Sequence, residues 1–153
     1  MTDLRILVDA ADQWALETYK WKVIRHTTKT GNLFYAQTWI DVKMVYLHRF
    51  LMDPSPGQKV DHRNCNGLDN RRSNLRIATG SQNLANQRKR TGCSSQYKGV
   101  CWHKAGGWWR ADIQINKRRL YLGHFASEEN AAKAYDTAAL TAWGKYARLN
   151  FPT

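Results

Sequence analysis

With 153 residues, 42% of them hydrophobic, the chain can bury a core in one ordinary domain or two small ones, which excludes a wholly disordered protein. Its formal charge of +12 repels itself unless an anionic partner offsets it, and nucleic acid is the usual such partner. No apolar run approaches the roughly 18 residues of a membrane-spanning helix, no basic segment leads into an apolar one at the N-terminus, and the three cysteines form no C-x-x-C pair. A membrane partner, secretion, a disulfide framework and a structural zinc are therefore not expected, and reduced thiols fit a cytoplasmic home.

In chain order, Asp9 to Glu17 reads as a short helix with Trp14 packed inward. From Trp21 to Phe50, β-branched and aromatic residues alternate with polar ones. Strands are expected at about 20–26, 33–38 and 42–50, with Thr30-Gly31-Asn32 as a turn. Asn, Asp, Gly and Arg crowd residues 61–74, which reads as a long hydrogen-bonded loop. A short apolar run, Leu75 to Ala78, leads to a helix capped by Thr79 or Ser81, with Asn83 and Asn86 near one face and Leu84 toward the core. That helix ends in Arg88-Lys89-Arg90, and residues 89–96 are small, polar and basic, which suits a linker.

Beyond it, Tyr97 to Trp102, Trp109 to Ile115 and Arg118 to Phe125 read as three antiparallel strands, turned at residues 104–107 and at Asn116-Lys117. Ser127 caps a helix whose first turn carries Glu128 and Glu129. Ala131, Ala134, Tyr135, Ala138 and Ala142 give it an apolar stripe, Gly144 closes it, and residues 149–152 tie the tail down. The expected class is α+β.

The chemistry concentrates in residues 61–83. Asp61 and His62 are adjacent, Asn74 lies twelve residues after His62, Asn83 nine beyond that, and arginines lie between. Carboxylate and amide oxygens suit Mg²⁺, and a neutral imidazole is a general base near pH 7. Adjacent residues on an extended segment point to opposite sides, so Asp61 and His62 need not share one role.

This segment resembles the HNH endonucleases of the phage and intron-encoded homing type. The matching residues are Asp61-His62, Asn74-Leu75-Arg76 and Thr79 to Asn83, preceded by Tyr46-Leu47-His48-Arg49, which resembles the family's L-H-R strand. The resemblance covers about residues 4–88. It implies a ββα-metal nuclease domain at 1–88 (core motif 46–88), with His62 as base, Asn74 orienting the loop, and Asp61 and Asn83 holding Mg²⁺ or Mn²⁺. It further implies 5′-phosphate and 3′-hydroxyl products and a setting in a phage-infected or bacterial cell. Arg71, Arg72 and Arg76 are candidates for phosphate contact, as are Arg49 and the 88–90 run; His48 could touch DNA, approach the metal site or simply pack.

Residues 96–152 resemble the plant ethylene-response-factor (Apetala-two) DNA-binding domain. The matching stretches are Tyr97-Lys98-Gly99-Val100, Trp109 to Ile113, Tyr121 to Phe125, Glu128 to Asp136 and Ala147 to Phe151. The resemblance implies a three-stranded sheet on one helix at 97–153 that reads double-stranded DNA, with Lys98, Arg119 and Tyr121 at matching positions of the reading face; alternation along the strand adds Arg110 as a candidate there. Trp109, alternating with Ala111 and Ile113, belongs to the core. Cys101, His103 and Gln114 stand where the plant proteins tend to have arginine, so a GC-rich target does not follow. His26, His103 and His124 show no partner pattern.

Together these features lead to the expectation of a metal-dependent, site-preferring DNA endonuclease, a monomer or weak dimer. The alternative is a DNA-binding regulator whose nuclease half is inactive, which would bind DNA equally well in chelator and never cut it. RNA binding is a weaker rival.

Overall fold

The computed structural model describes residues 4–152; residues 1–3 and Thr153 lie outside them. The chain divides into two compact units between Gly80 and Ser81, ahead of the expected linker at 89–96. Both are mixed α+β, built on antiparallel sheets.

In the first unit, a single 3-10 turn (Ala10–Asp12) runs into helix α1 (Gln13–Thr18). A three-stranded meander follows: β1 (Lys22–Thr28), β2 (Gly31–Ile40) and β3 (Lys43–Tyr46). The first hairpin turns at Lys29-Thr30, because Thr28 pairs directly with Gly31. Thr28 Oγ1 braces it, accepting from the Thr30 amide (3.2 Å) and donating to the Gly31 carbonyl (2.8 Å). The second hairpin turns at Asp41-Val42, both left-handed, the backbone a two-residue hairpin requires.

The expected third strand over 42–50 is cut short. Residues 47–52 form helix α2 (Leu47–Met52), which buries Leu47, His48 and Leu51. That spacing, i, i+1, i+4, suits a helix and defeats a strand. Trp14 also departs from expectation: it is half exposed, its ring against Phe50, while Ala15 takes the buried position. The core joins Ala15, Ala36, Leu47 and Leu51, with Trp21 and Phe50 at its margin. Trp21 Nε1 donates to the Ala15 carbonyl at 2.8 Å.

Strands β4 (Lys59–His62) and β5 (Leu75–Ala78) pair antiparallel, Asp61 opposite Arg76 and His62 opposite Leu75. The Asn-rich loop between them is held by its own side chains. Asn74 Oδ1 accepts from the Asn64 amide, and Asn74 Nδ2 donates to the Asp69 carbonyl. Asn66 Oδ1 accepts from the Leu68 amide, and the wholly buried Asn70 donates to the Leu68 carbonyl. Leu7 pairs with the loop in parallel at Asp69.

Helix α3 (Gly80–Ala85) opens the second unit. Leu84 is exposed rather than turned to a core; Ala85 and Asn86 are the buried residues there. Within the expected linker, Ser95 is buried and donates to Glu128 Oε1 (2.6 Å), and Ser94 Oγ accepts from the Trp102 amide (2.8 Å). The sheet is β6 (Val100–His103), β7 (Trp108–Ile115) and β8 (Arg118–Phe125), in that order. Its first strand starts three residues later than expected because Gly99 is left-handed. A Cβ there would meet the Tyr135 ring at 1.9 Å, so the backbone must pass close to the helix.

Helix α4 (Glu128–Trp143) is capped by Ser127, whose Oγ accepts from the Asn130 amide, and ends at left-handed Gly144. Its buried face is Ala131, Ala132, Tyr135 and Ala139. The expected stripe is thus rotated: Ala142 is exposed, and Ala134 and Ala138 are half-buried. Asn150 ties the tail, its amide donating to Asp136 and its side chain bracketing the Lys98 backbone at 2.7 and 3.1 Å.

Candidate nucleic-acid interface

Alternation sorts the β6–β7–β8 sheet into two faces. Ala111 and Ile113 point at α4 and are buried, with Trp109 packed beside them, as expected. The intervening residues, Trp108, Arg110, Asp112 and Gln114, turn to the other face. Register brings Cys101 and His124 alongside Arg110, and Arg119 alongside Gln114. A bulge at Ala111/Asp112 sets Tyr121 opposite Asp112.

On that outer face the charged and aromatic groups interlock. Asp112, itself buried, accepts from Arg110 Nη2 at 2.9 Å. Arg110 Nε lies 2.8 Å from Asp112 Oδ2 without a well-aligned hydrogen bond, and Arg119 Nη2 approaches the same oxygen at 3.6 Å. The Arg110 guanidinium lies over the Tyr121 ring, 5.2 Å from its centroid. Tyr121 Oη and His124 Nδ1 are 2.9 Å apart. Trp108 stacks on His103 (5.0 Å, 6°) and touches His124 (5.2 Å). One buried carboxylate thus orients two arginines, and the rings stiffen the surface between them. Arg119 keeps 72% of its side-chain surface, so most of its guanidinium stays open to a partner.

Arg110, Arg119 and Tyr121 therefore stand where the sequence put them. Lys98 does not: its ammonium donates to the Ala85 and Gln87 carbonyls, away from the sheet. Sequence reading missed His103, Trp108, His124 and the Asp112 anchor. The period-2 alternation from Arg110 already placed Trp108 and Asp112 on its face; the cross-strand register that adds both histidines is not visible in the residues.

The Asp61–His62 region has a different character. Asp61 and Arg76 form a buried ion pair, Nε and Nη2 each 2.7 Å from Asp61 Oδ2. Arg76 has 8% of its side chain exposed and cannot reach a phosphate, contrary to expectation. Arg71 is paired with Asp69 by two hydrogen bonds at 2.7 Å, and Arg72 with Asp12 at 2.8 and 2.7 Å, while half of each arginine side chain stays exposed. Arg49 donates to the Gln58 carbonyl. Lys89 Nζ reaches the Arg90 carbonyl, and Arg88 and Arg90 are exposed.

His62 lies on the opposite side of β4 from Asp61, its ring 4.9 Å from that of His48 and its Nε2 3.4 Å from Asn70 Oδ1. Burial pushes both imidazoles below their ordinary value, His48 to about 3. His48 is buried and its Nδ1 has no hydrogen-bond partner, so it stands as a packed histidine of helix α2. Asn74 orients the loop through its backbone, and Asn83 belongs to the second unit.

As placed, the donors do not fit a resident Mg²⁺ or Mn²⁺. The one carboxylate of the expected set is already neutralised by a guanidinium, and among the described residues no three His, Cys, Asp or Glu gather to hold a metal.

Comparison with known proteins points the same way. Residues 95–145 match the family model of the AP2 domain. The second unit carries an AP2 domain. The chain is 45% identical over 69 residues to an AP2-like ethylene-responsive transcription factor of Arabidopsis thaliana, covering 39% of this chain and 23% of that protein. It is 49% identical over 57 residues to an ethylene-responsive transcription factor of the same plant (37% and 31%). It is also 49% identical over 59 residues to an AP2/ERF and B3 domain-containing protein of Oryza sativa subsp. japonica (39% and 16%). The chain thus spans less than a third of the length of these relatives.

These matches correct the endonuclease expectation. Two of these three relatives are titled transcription factors, and the matched model leaves the nuclease-like segment outside it. Hydrolase activity, the HNH assignment and magnesium dependence fall with it, as does the setting in the cytoplasm of a phage-infected or bacterial cell.

Proposed function

We propose that the chain is a DNA-binding regulator whose AP2 domain lays the outer face of the β6–β7–β8 sheet in the major groove of double-stranded DNA. The observation that carries this reading is the interlocked Arg110–Asp112–Arg119 and Tyr121–His124–Trp108–His103 surface, set opposite the face that α4 covers. Strands can enter the major groove, where each base pair shows a distinct set of donors and acceptors. Arg119 offers a forked donor suited to guanine, and Gln114 an amide suited to adenine. Basic groups outside the sheet, Arg88 and Arg90 among them, supply phosphate contacts that set register and make affinity fall with salt. The transcription-factor titles of the relatives support a regulatory role and a nuclear place of work.

The test is selection from a random-sequence duplex pool, followed by fluorescence anisotropy on the recovered site. Arg119→Ala is expected to weaken binding on the order of tenfold and relax the sequence preference at one position. Unchanged affinity and preference in both Arg119→Ala and Tyr121→Ala would remove the sheet from the interface. Competition by double-stranded RNA as effective as by the selected DNA would move the reading to RNA.

A further inference from the structure

The β2–β3 hairpin of the first unit ends in an apolar point that the fold does not use. Trp39 and Met44 sit directly opposite each other across the two strands, 69% and 46% exposed. Val42, in the turn itself, is 92% exposed. Its φ is +59 and that of Asp41 +45. A left-handed backbone is costly for a β-branched residue, and Gly or Asn is the ordinary solution in such a turn. The chain therefore holds an apolar side chain in solvent at a position where both packing and backbone favour something else.

The support of this point is cationic. Residues 20–46 carry Lys20, Lys22, Arg25, Lys29 and Lys43 against the single carboxylate of Asp41. An apolar wedge on a positive sheet complements a polyanion that also has apolar faces, and base pairs between phosphate rails are that combination.

We propose that the Trp39–Val42–Met44 hairpin is a second DNA contact, a wedge entering the minor groove and parting a base step while Lys22 and Lys43 meet the flanking phosphates. The proposal rests on the DNA-binding reading of the second unit and adds a contact made by the first. Pyrimidine–purine steps unstack most easily, so TA steps are the expected points of entry.

The experiment uses the full chain and a 40-base-pair A·T-rich duplex carrying 2-aminopurine at its TA steps, at low salt. Wild-type binding is expected to raise the 2-aminopurine fluorescence as bases unstack. The variant Trp39→Ala/Val42→Ser/Met44→Ser changes exposed residues only, so its melting temperature should hold. It should lose the fluorescence rise and bind about tenfold more weakly. Arg119→Ala should also bind more weakly, yet keep the full rise once saturated. Lys22→Gln and Lys43→Gln should each lower the salt slope by about one.

Wild type that binds without a fluorescence rise, or a triple variant that matches it in affinity and fluorescence, overturns the wedge and leaves the sheet reading intact. A triple variant altered in sedimentation but not in DNA binding overturns it in favour of contact between two copies. Wild type that binds neither this duplex nor any member of the random-sequence pool overturns both readings.

Discussion

The two units carry equal numbers of cations but pair their arginines with carboxylates in different ways. Residues 1–80 hold twelve Lys and Arg against eight Asp and Glu; residues 81–153 hold twelve against four. In the first unit three arginines each have a carboxylate of their own, Arg71 with Asp69, Arg72 with Asp12 and Arg76 with Asp61, and the last pair is buried. In the second, one carboxylate, Asp112, orients two arginines on an open face and neutralises only part of their charge. A cation's meaning thus depends on its carboxylate: a pair that is buried, as Asp61–Arg76 is, builds the fold, whereas one carboxylate shared by two arginines leaves charge for a partner.

The sharpest way to break this comparison is at the buried pair. Removing one member strands an uncompensated charge, which costs roughly 3–5 kcal/mol. Asp61→Ala and Arg76→Ala should each destabilise the first unit by about that much in urea unfolding. Arg76→Ala should nonetheless leave DNA affinity unchanged under conditions where the chain stays folded. Asp61→Leu/Arg76→Leu, which removes both charges, should recover most of the loss. A full recovery of stability with lost DNA binding would return Arg76 to the interface.

A second difference lies in the histidines. His48 and His62 are buried in the first unit, whereas His103 and His124 are exposed on the outer face of the second. Burial holds His48 at about 3, below the ordinary 6.5. Between those values the unfolded chain binds a proton that the folded chain refuses, so stability rises with pH. It should therefore be complete above about 6.5 and fall as the solution is acidified, by about 1.4 kcal/mol per pH unit for a fully resisting imidazole. At pH 4.5 His48 alone should remove about 2–3 kcal/mol, with His62 adding in the same direction. Asp69, held below the usual carboxylate range by Arg71, stays ionised there and does not mimic the effect. Hydrogen exchange at pH 7 and pH 4.5 should show residues 22–62 losing protection well before 100–143, and His48→Phe should blunt the difference.

What could be read in the residues follows from the range of the forces involved. The 116–117 turn, the Ser127 cap and the Ala-rich helix are local, set by a few neighbours, and they stand as expected. The split of β7 into a buried face and an open one was equally legible from alternation. The failures are long-range. Helix α2 replaces a strand because Leu47 and Leu51 must meet Ala15 and Ala36, residues far away in the chain. Lys98 leaves the sheet to donate to the Ala85 and Gln87 carbonyls, more than ten residues back in the chain. The Asp-His-Asn spacing is plain in the residues, but spacing carries no partners. Cross-strand register gives Asp61 to Arg76, and the loop's own amides claim Asn74. A constellation that suggests metal and base in the linear sequence is, in this fold, bound to its own arginines and backbone.

That reading also sets the smallest expected effect, which is none. If Asp61 serves Arg76, a divalent cation has nothing to add to binding beyond screening. DNA affinity of the full chain measured in Mg²⁺ and in chelator, at matched ionic strength, should agree within error, because the contacts proposed are cation to phosphate and side chain to base. Matching matters, since Mg²⁺ competes for the phosphates and would weaken binding on its own. Asp61→Asn makes the comparison stricter. It removes the carboxylate that a cation would need, so a true metal requirement would appear as lost Mg²⁺ stimulation, whereas a structural carboxylate would lower stability and leave the two affinities equal. Tighter binding in Mg²⁺ than in chelator, abolished by Asp61→Asn, would show that the guanidinium of Arg76 yields its place on Asp61 to a metal.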